Sequence, residues 1–354
     1  MDIKYHLTGP NNFIQRLHAA LASCSLPPFR IVKSDISIRK GKKKEALLGR
    51  FDGVFMYKFT LACIYNFTRL TKGPNLPRSL FLEKNSTKSF CLFDHFAAKY
   101  LNRRDIFLKK TVDSIVYQSD LSQREHNFVH GSDPYGKNIY QIPNGVPLEI
   151  FRKQPSSSFF SGNPKLVITA NFRLVKRLYD AISIINELKK NYPNAVLHVI
   201  GPMDQIVKES IAGLNLDACI FHGAVNSNDL PSIYGSMDVG LSPSLFDPCP
   251  NSVIEMMACG LPVLTTEASG AAELVPDIRF VIPENIKFGF IESHNCIKIP
   301  KVNAIKWCLA IESILETQMD FSQIVIDHAR EKFSIDVIAQ KYSEVIIKTW
   351  DEKS

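Results

Sequence analysis

The sequence predicts an α/β protein built on doubly wound parallel sheets, and three observations support this fold class. Residues Leu166–Ala170 form a continuous apolar run bounded by Pro164 and Asn171, as expected of a buried parallel strand. Apolar residues then recur at helical spacing from Leu178 to Leu188. Further strand-like and helix-like stretches alternate up to residue 265. This alternation is typical of a parallel sheet with helices on both faces.

The other elements of the second half are predicted from the same alternation. Strands are expected at Ala195–Ile200, Cys219–Phe221, Val239–Leu241 and Leu261–Thr265, and helices at Gln205–Ala212 and Asp229–Gly235. In such sheets ligands bind at the carboxyl ends of the strands. We therefore expect the functional site among the segments that follow strands, which are Asn171–Lys176, the turns at Gly201 and His222-Gly223, and Asp247–Glu255.

The length of 354 residues is too great for a single typical core, so two α/β domains are expected. Strand-like runs in the first half lie at Asp2–Leu7, Phe51–Phe55, Ser89–Phe93, Asp113–Gln118 and Ile139–Ile142, with an amphipathic helix pattern over Asn12–Ala22. Pro155–Gly162 is rich in Ser, Pro and Gly and is predicted to be the linker. The predicted domains are 1–154 and 155–334, followed by an amphipathic helix in 335–354.

The composition is that of a globular protein, with a hydrophobic fraction of 45%. No window of about 18 uncharged apolar residues is present, and the first ten residues lack the layout of a signal peptide. The eight Cys form no CxxC pair, so reduced core thiols are expected and no zinc site is implied. A cytoplasmic protein is therefore expected, in which the sequons at Asn66 and Asn85 are not used.

Charge is unevenly distributed along the chain. Residues 1–150 hold 23 Lys and Arg against 12 Asp and Glu, a net charge of +11, and the remainder carries −4. This difference indicates that the first half meets something anionic. The densest basic run, Arg39–Lys44, is either a solvated loop or part of such a surface. No aromatic residues are interleaved with these bases, so a nucleic-acid partner is not expected.

The most informative stretch runs from Asp247 through Glu255 to Pro262, with two carboxylates eight positions apart. Pro250-Asn251 is predicted to be the cap of a helix, and Gly260 with Pro262 its end. Glu255 is then expected in the first turn, beside free amides of Asn251, Ser252 and Val253 that could bind a phosphate. An acid that binds hydroxyls next to such amides indicates a nucleotide-sugar site. An ordinary capped helix, whose Glu complements the helix dipole, is the alternative.

A second motif, Asn171-Phe-Arg173-Leu-Val-Lys176, follows a buried strand and opens a helix. Two cations beside a helix N-terminus suit a diphosphate, because Arg can bind it with a fork of donors and Lys acts as a point charge. The alternative is a loop with two solvated cations.

Together these two motifs resemble those of the retaining glycosyltransferases of family four, which have the GT-B fold. The resemblance extends over roughly 160–275 and includes His222-Gly-Ala-Val, Leu230–Val239, Ser242-Pro-Ser244, Met257–Val263 and Ser269–Glu273. Ile142-Pro-Asn-Gly-Val146 also matches. The resemblance implies two Rossmann-like domains that face a cleft, with an acceptor-binding domain first, a nucleotide-sugar domain second, and helix 335–354 packing back on the first.

The resemblance also implies residue roles in the second domain. Arg173 and Lys176 would neutralise the donor diphosphate, which is also the leaving group, and Asp247 would contact the donor sugar. Glu255 would accept hydrogen bonds from the ribose, and the amides of 251–253 would bind phosphate. Asp247 stands where the family usually has Glu, which is one methylene longer.

Two further positions complete the predicted donor site. Gly201 lies at a strand end, and Asn11 lies in Gly9-Pro-Asn11-Asn12, where the family usually has a Gly-Gly pair. An Asn side chain crowds the approach to a diphosphate, although Asn tolerates left-handed geometry. Candidates for acceptor binding come from strand ends of the first half, and are Arg50, Asp52, Asp94 and His95. A turn Asp and a structural His are the alternatives for these positions.

The sequence thus predicts a retaining glycosyltransferase that uses a nucleoside-diphosphate sugar, with UDP favoured, and a glycan or lipid-linked saccharide as acceptor. No Asp-x-Asp triplet is present, so no metal and no cofactor are implied. The basic first half suits peripheral contact with an anionic inner membrane surface. The alternatives are a sugar-nucleotide epimerase on the same fold and a degenerate protein that binds a sugar nucleotide without turnover. An oxidoreductase is not supported, because no Gly-x-Gly-x-x-Gly follows an early strand.

Overall fold

Short runs of apolar and β-branched residues form the strands of two parallel sheets. The structure is a computed structural model that describes residues 114–130, 138–245, 247–284, 286 and 300–351. It also describes 30–32, 54–57, 89–93 and parts of 13–24. The predicted strand Asp2–Leu7 and the basic run Arg39–Lys44 lie outside these residues. The chain divides into a first unit, which takes the described residues of 10–143 and 338–351, and a second unit over 144–337.

The first unit contains a sheet of five parallel strands in sequence order. They are β1 (Arg30–Val32), β2 (Val54–Tyr57), β3 (Ser89–Phe93), β4 (Ser114–Tyr117) and β5 (Asn138–Gln141), with helix α1 (Asp120–His130) between the last two. The strands predicted near β2 to β5 are present, and the described part of β2 begins within the predicted Phe51–Phe55. Residues within 13–21 are helical, as predicted.

The second unit alternates strands and helices as predicted. Its strands are β6 (Lys165–Thr169), β7 (Val196–Ile200), β8 (Cys219–Gly223), β9 (Val239–Ser242), β10 (Val263–Thr266) and β11 (Val281–Ile282). Its helices are α2 (Leu178–Leu188), α3 (Gln205–Ile211), α4 (Leu230–Tyr234), α5 (Asn251–Ala258), α6 (Ala304–Glu316) and α7 (Phe321–Phe333). The sheet order is β11-β10-β9-β6-β7-β8, with every neighbouring pair parallel.

The core of the second unit lies between this sheet and the helices that cover it. The apolar face of α2 predicted from its spacing is buried, and α6 packs on that helix. On another part of the sheet α5 comes close to β9 because Gly240 has no side chain, and a Cβ there would lie 2.7 Å from the Met256 sulfur. Helix α5 ends at Ala258, and Gly260, which follows the C-cap Cys259, has a left-handed φ of 83°. The predicted end of this helix is therefore confirmed.

A final helix, α8 (Ile335–Asp351), begins in the second unit and contributes its residues from 338 onward to the first. Its Tyr342 ring lies 6.3 Å from the Phe13 ring. Near its end the buried hydroxyls of Thr349 and Ser114 are hydrogen-bonded at 2.6 Å. These contacts join α8 to the helical residues near 13 and to β4.

The segment 155–162, which was predicted to be a linker, packs on the second unit. The Ser157 amide donates to the Ser236 hydroxyl at 2.9 Å, and the Ser161 carbonyl lies 3.0 Å from the His198 ring. Phe160 packs against the core of the second unit. The Ser, Pro and Gly residues therefore form turns on the surface of this unit, and the chain passes between the units at 143–144 instead.

Gly201, at the end of β7, brings the ends of two neighbouring strands together. Its φ of 127° is a conformation that residues with a side chain rarely adopt, and a Cβ there would lie 1.8 Å from the Ala170 carbonyl oxygen. Its amide donates to the Gly223 carbonyl at 2.7 Å. Glycine at position 201 therefore permits the close approach of the loops that follow β6, β7 and β8.

We predict that Gly201→Ala lowers the free energy of unfolding by about 2 kcal/mol or more, because it adds both a clash and a strained φ. Gly213→Ala is the matched control in the same unit, since a Cβ there would have no neighbour within 4 Å. Urea unfolding followed by circular dichroism measures both variants. Equal stabilities of the two variants would show that the turn at Gly201 does not need glycine.

Candidate active site

The carboxyl ends of β6 and β9 lie side by side where the strand order of the second sheet reverses. Read from the other edge, the order β8-β7-β6-β9-β10-β11 places the first and fourth strands of the unit next to each other. The chain leaves β6 toward one side of the sheet and leaves β9 toward the other, so a crevice opens between the two following loops. These loops are residues 170–177 and 243–250.

The loop after β6 is anchored along its length. Phe172 is fully buried, and its amide donates to the loop after β7 at 2.8 Å. Leu174–Lys176 then form a 3₁₀ turn, which accepts a hydrogen bond from the Leu245 amide at 2.8 Å. Arg173 precedes this turn and is exposed. The two predicted cations are thus placed by one fixed turn, with Arg173 toward solvent.

Lys176 forms an ion pair with Asp247 across the crevice, from its Nζ to the Oδ2 of the carboxylate. Both side chains are largely buried, with 16% and 10% of their surfaces exposed. The Asp247 carbonyl accepts hydrogen bonds from the Gly270 amide at 2.8 Å and the Ser269 hydroxyl at 3.2 Å. A Cβ on residue 270 would lie 2.0 Å from the Pro248 carbonyl oxygen, so glycine permits this approach. The loops that follow β6, β9 and β10 therefore hold the Asp247 carboxylate beside the Lys176 cation.

Helix α5 begins at Asn251 directly after this loop. Its N-cap is Pro250, which offers no side-chain cap, and the Asn251 side chain instead accepts a hydrogen bond from the Asn144 amide group at 2.7 Å. The prediction of three free amides is wrong for Val253, because its amide donates to the Pro250 carbonyl at 3.1 Å. This bond tightens the first turn and leaves residues 251 and 252 as the candidate phosphate-binding positions. The phosphate role of Asn251 and Ser252 stays a prediction.

Glu255 is the fifth residue of α5, so the prediction that it lies in the first turn is wrong. Because the N-cap is Pro250, the helix begins one residue earlier than it would with Asn251 as the cap, and its first turn holds no acidic residue. Glu255 is buried, with 7% of its surface exposed, and its neighbours Ile254 and Met256 are fully buried. A carboxylate in such a position is rarely retained unless it binds a partner. The position therefore argues against a simple complement to the helix dipole.

The predicted site residues outside this crevice divide into two groups. Gly201 lies at the carboxyl end of β7, where it has the backbone role described above, and its part in donor binding stays a prediction. Asn11, Arg50, Asp52, Asp94 and His95 lie outside the residues that the structure describes, and so do both positions of the Asn11-Asn12 pair.

Arg177, which the sequence analysis did not single out, is a fully buried cation next to Lys176. It has left-handed dihedrals, with φ 54° and ψ 43°, and is the one non-glycine residue with positive φ in the described part of the chain. Its guanidinium pairs with Glu284 at 2.7 Å and Asp180 at 3.3 Å, and donates to the Pro300 carbonyl. These ion pairs offset the strain and fix the backbone just after Lys176.

The His222-Gly223 turn lies at the carboxyl end of β8, as predicted, but the His222 side chain is engaged elsewhere. Its ring stacks on that of His198 at an interplanar angle of 17°, with the ring nitrogens 2.9 Å apart. Burial lowers the pKa of both imidazoles. Phe160 packs edge-on against both rings. This pair therefore fastens the segment near residue 160 to the sheet.

The described residues hold no disulfide-bonded or metal-ligating group at the site. The free thiols are Cys24, Cys219, Cys249, Cys259 and Cys308. Burial raises the pKa of Cys219 to about 11, that of Cys259 and Cys308 to about 12, and that of Cys249 further. Over the same residues, no three side chains of His, Cys, Asp or Glu are grouped so that they could hold a metal ion. Nor does this part of the chain hold a helix long and apolar enough to cross a membrane.

Comparison with solved structures identifies the architecture. The sucrose-phosphate synthase of Thermosynechococcus elongatus superposes with a TM-score of 0.63 at 15% identity, over 85% of this chain and 74% of that one. Anabaena Alr3699/HepE, solved in complex with UDP and glucose, superposes with a TM-score of 0.60 at 14% identity, over 84% and 78% of the two chains. The chain has the GT-B fold. The predicted fold class is therefore confirmed.

Sequence comparison bears on the second unit. The family model "Glycosyl transferases group 1" matches residues 150–287, which contain the crevice and α5. The UDP-glycosyltransferase TURAN of Arabidopsis thaliana is 35% identical over 100 residues, which are 26% of this chain. That match spans 21% of the length of the relative. The similarity is therefore concentrated in the part of the chain that forms the site.

The ion pairs between Arg177, Asp180 and Glu284 lead to a prediction about how stability depends on pH. Burial raises the pKa of Asp180 from 3.8 to about 6, although Arg177 and the Val302 amide act in the opposite direction. The folded protein thus binds this proton more tightly than the unfolded chain, so the stabilising contribution is present below pH 4 and is lost as the pH rises through 6. Asp180→Asn cannot titrate. The free energy of unfolding of the wild type, minus that of the variant, should fall by about 2 to 3 kcal/mol between pH 4 and pH 7.

Urea unfolding of both proteins at pH 4, 5, 6 and 7 measures this difference. A difference that stays constant, or that rises with pH, would mean that the Arg177 cation outweighs burial at Asp180.

Proposed function

We propose that this protein is a retaining glycosyltransferase that moves a sugar from a nucleoside-diphosphate sugar to a glycan or lipid-linked saccharide, without a metal ion. The observation that carries the proposal is the Lys176–Asp247 pair at the strand-order reversal, directly before α5. The group 1 family match and the UDP-glycosyltransferase relative support sugar transfer from a nucleotide sugar.

Lys176 would hold the donor diphosphate. An ammonium group has three N–H donors, so Lys176 can keep its bond to Asp247 and still donate to a phosphate oxygen. Asp247 thereby fixes the position of the cation before the donor binds. Arg173, exposed at the start of the same turn, would bind the outer side of the diphosphate with its planar fork of donors.

The two carboxylates would take different parts of the donor. Asp247 lies beside the cation that binds the leaving group, so it is placed to contact the sugar being transferred. Glu255 lies in the second turn of α5, and its burial suits a fixed acceptor for the ribose hydroxyls. Between them, the start of α5 would bind phosphate through backbone N–H groups and the positive end of the helix dipole.

These groups are sufficient for transfer with retention. The bond between the anomeric carbon and the diphosphate oxygen breaks, and the acceptor oxygen bonds to the same face of that carbon. The proton of the acceptor hydroxyl passes to the departing phosphate oxygen, so a separate general base is not required. The charge that develops on the diphosphate would be stabilised by Arg173 and Lys176, which is the role that a metal ion has elsewhere.

The proposed donor and acceptor classes rest on the names of two similar proteins and on the charge of the first half of the chain. UDP is favoured as the nucleotide, and one relative carries UDP in its name while one structural neighbour was solved with UDP and glucose. The net charge of +11 on residues 1–150 suits an anionic glycan, or a lipid-linked saccharide at an anionic inner membrane surface. A cytoplasmic location is part of this proposal.

The test is a mass-spectrometric screen of UDP-, GDP- and ADP-sugars for binding, hydrolysis and transfer to saccharide acceptors. A glycosyltransferase releases the nucleoside diphosphate and attaches the sugar to an acceptor. A sugar-nucleotide epimerase would instead return an isomerised sugar, and a degenerate member would bind a donor without turnover. Binding of none of these donors would contradict the proposal and both alternatives.

We predict that Lys176→Ala and Arg173→Ala each lower turnover about 10²-fold or more, because a fixed cation next to developing phosphate charge contributes roughly 3 kcal/mol to the transition state. Lys190→Ala is the matched control, since Lys190 is exposed at the end of α2 and pairs with Glu187. Lys176→Ala leaves the buried Asp247 without this partner, so its thermal unfolding is recorded beside its kinetics. Near-normal turnover in both site variants would exclude the diphosphate role.

We also predict that Glu255→Gln weakens donor binding more than it slows the chemical step. Contacts to the ribose are equal in the ground state and the transition state, so their loss raises KM for the donor and changes kcat little. Steady-state kinetics with calorimetric titration of the nucleoside diphosphate separates the two effects. A lower kcat at unchanged donor affinity would place Glu255 at the reacting sugar instead.

A further inference from the structure

The segment Asn144-Gly145-Val146 was singled out by the sequence, and the proposed reaction gives it no role. In the structure Asn144 is buried, with 4% of its surface exposed. The two N–H groups of its side-chain amide face two acceptors, the Cys249 carbonyl at 3.0 Å and the Asn251 Oδ1 at 2.7 Å. Its backbone amide donates to the Cys249 sulfur at 3.2 Å. One residue therefore makes three contacts with the loop that precedes α5.

These contacts lie at the start of α5, where the N-cap residue itself makes no side-chain hydrogen bond. Pro250 is the N-cap of α5 and supplies no side-chain hydrogen bond, so the bonds from Asn144 hold the chain on either side of it. The other end of the loop is held at Asp247, by the turn after β10. The loop thus has two anchors, and Asn144 is the one next to the start of α5.

The support behind Asn144 is itself fixed. Two residues later, the Val146 amide donates to the Phe333 carbonyl at 2.9 Å, and the Ile335 amide donates to the Val146 carbonyl at 2.9 Å. Val146 and Ser334 thereby form a parallel bridge, and Val146 is fully buried. The segment 144–146 is therefore held on one side by residues 333–335 and holds the loop before α5 on the other.

The chemistry at position 144 is narrowly defined. Two acceptors facing one side chain require two donors from a single short group, which the Asn amide provides. Asp has the same shape but only acceptors when ionised, and Leu has a similar size without any donor. Ser offers a single donor. Loss of the bond to Cys249 would leave a buried carbonyl without this donor, and loss of the bond to Asn251 would release its half-buried side chain, so either change destabilises the ordered loop.

We propose that Asn144 is a positioning residue that sets the affinity for the donor by holding the Asp247–Asn251 loop and the start of α5 in place. This inference rests on the proposed function, because it concerns the groups assigned there to the sugar and the phosphates. Asn144 acts through Cys249 and Asn251. It positions the loop that carries Asp247 at its beginning and the phosphate-binding amides at its end.

The experiment compares wild type with Asn144→Leu, Asn144→Ser and the control Ile185→Val. The control trims a fully buried residue of α2 in the same unit and lowers stability without touching the loop. We expect KM for the donor and Kd for UDP to rise about tenfold or more in Asn144→Leu, by less in Asn144→Ser, and not in the control. The fall in kcat should be smaller than the rise in KM.

Hydrogen exchange of peptides covering 245–258, measured without any ligand, gives a readout that does not depend on activity. Exchange there should be faster in both Asn144 variants and unchanged in the control. If the Leu variant does not fold, the Ser variant decides the result. Donor KM, UDP affinity and exchange rates that equal those of the wild type would overturn the proposal. A wild type that binds no nucleotide, with faster exchange in the variants, would instead reject the proposed function and leave the holding role intact.

Discussion

The pairing of Lys176 with Asp247 depends on the reversal of strand order between β6 and β9. Residues 71 positions apart in the chain meet because two adjacent parallel strands send their following loops to opposite sides of the sheet. A cation and a carboxylate with little exposed surface then stand at the mouth of the resulting crevice. The remaining parts of the site are arranged around this pair, from Arg173 on the same turn to α5 on the other side.

Main-chain hydrogen bonds hold the loops of the site together. The Leu245 amide fastens the two crevice loops to each other, and the Gly270 amide fastens Asp247 to the loop after β10. Buried ion pairs around Arg177 fix the backbone that follows Lys176. Desolvating such charges costs free energy that their mutual attraction only partly returns. The ion pairs of Arg177 therefore contribute more to the position of this backbone than to the free energy of unfolding.

The fold and the position of the two motifs after their strands could be predicted from the sequence because both are local patterns. A buried run at 166–170, a helical repeat over 178–188 and the acid-x7-acid spacing are visible within short windows. Boundaries set by tertiary contacts could not be read in this way. The turn-rich segment 155–162 resembles a linker in composition, but its Ser157 amide is hydrogen-bonded to Ser236 and its Phe160 packs against the core of the second unit.

The contacts that the sequence did not predict join residues far apart in the chain. Asn144 meets Cys249 across 105 positions, and Arg177 meets Pro300 across 123. Neither pairing leaves a local pattern, and a left-handed Arg is not predicted by any preference of that residue. The prediction of a free Val253 amide failed for a related reason. The N-cap is Pro250, and its carbonyl accepts the hydrogen bond from the Val253 amide. The one-residue shift moved Glu255 from the first turn into the buried part of α5.

The most direct test of the site is a crystal structure of the protein with UDP bound. We predict that the diphosphate lies between the Arg173–Lys176 turn and the start of α5, with the ribose hydroxyls on Glu255 and the Asp247 side chain free to face the sugar position. UDP bound at the carboxyl ends of the β1–β5 sheet, or in the crevice without contact to Lys176, would contradict this assignment.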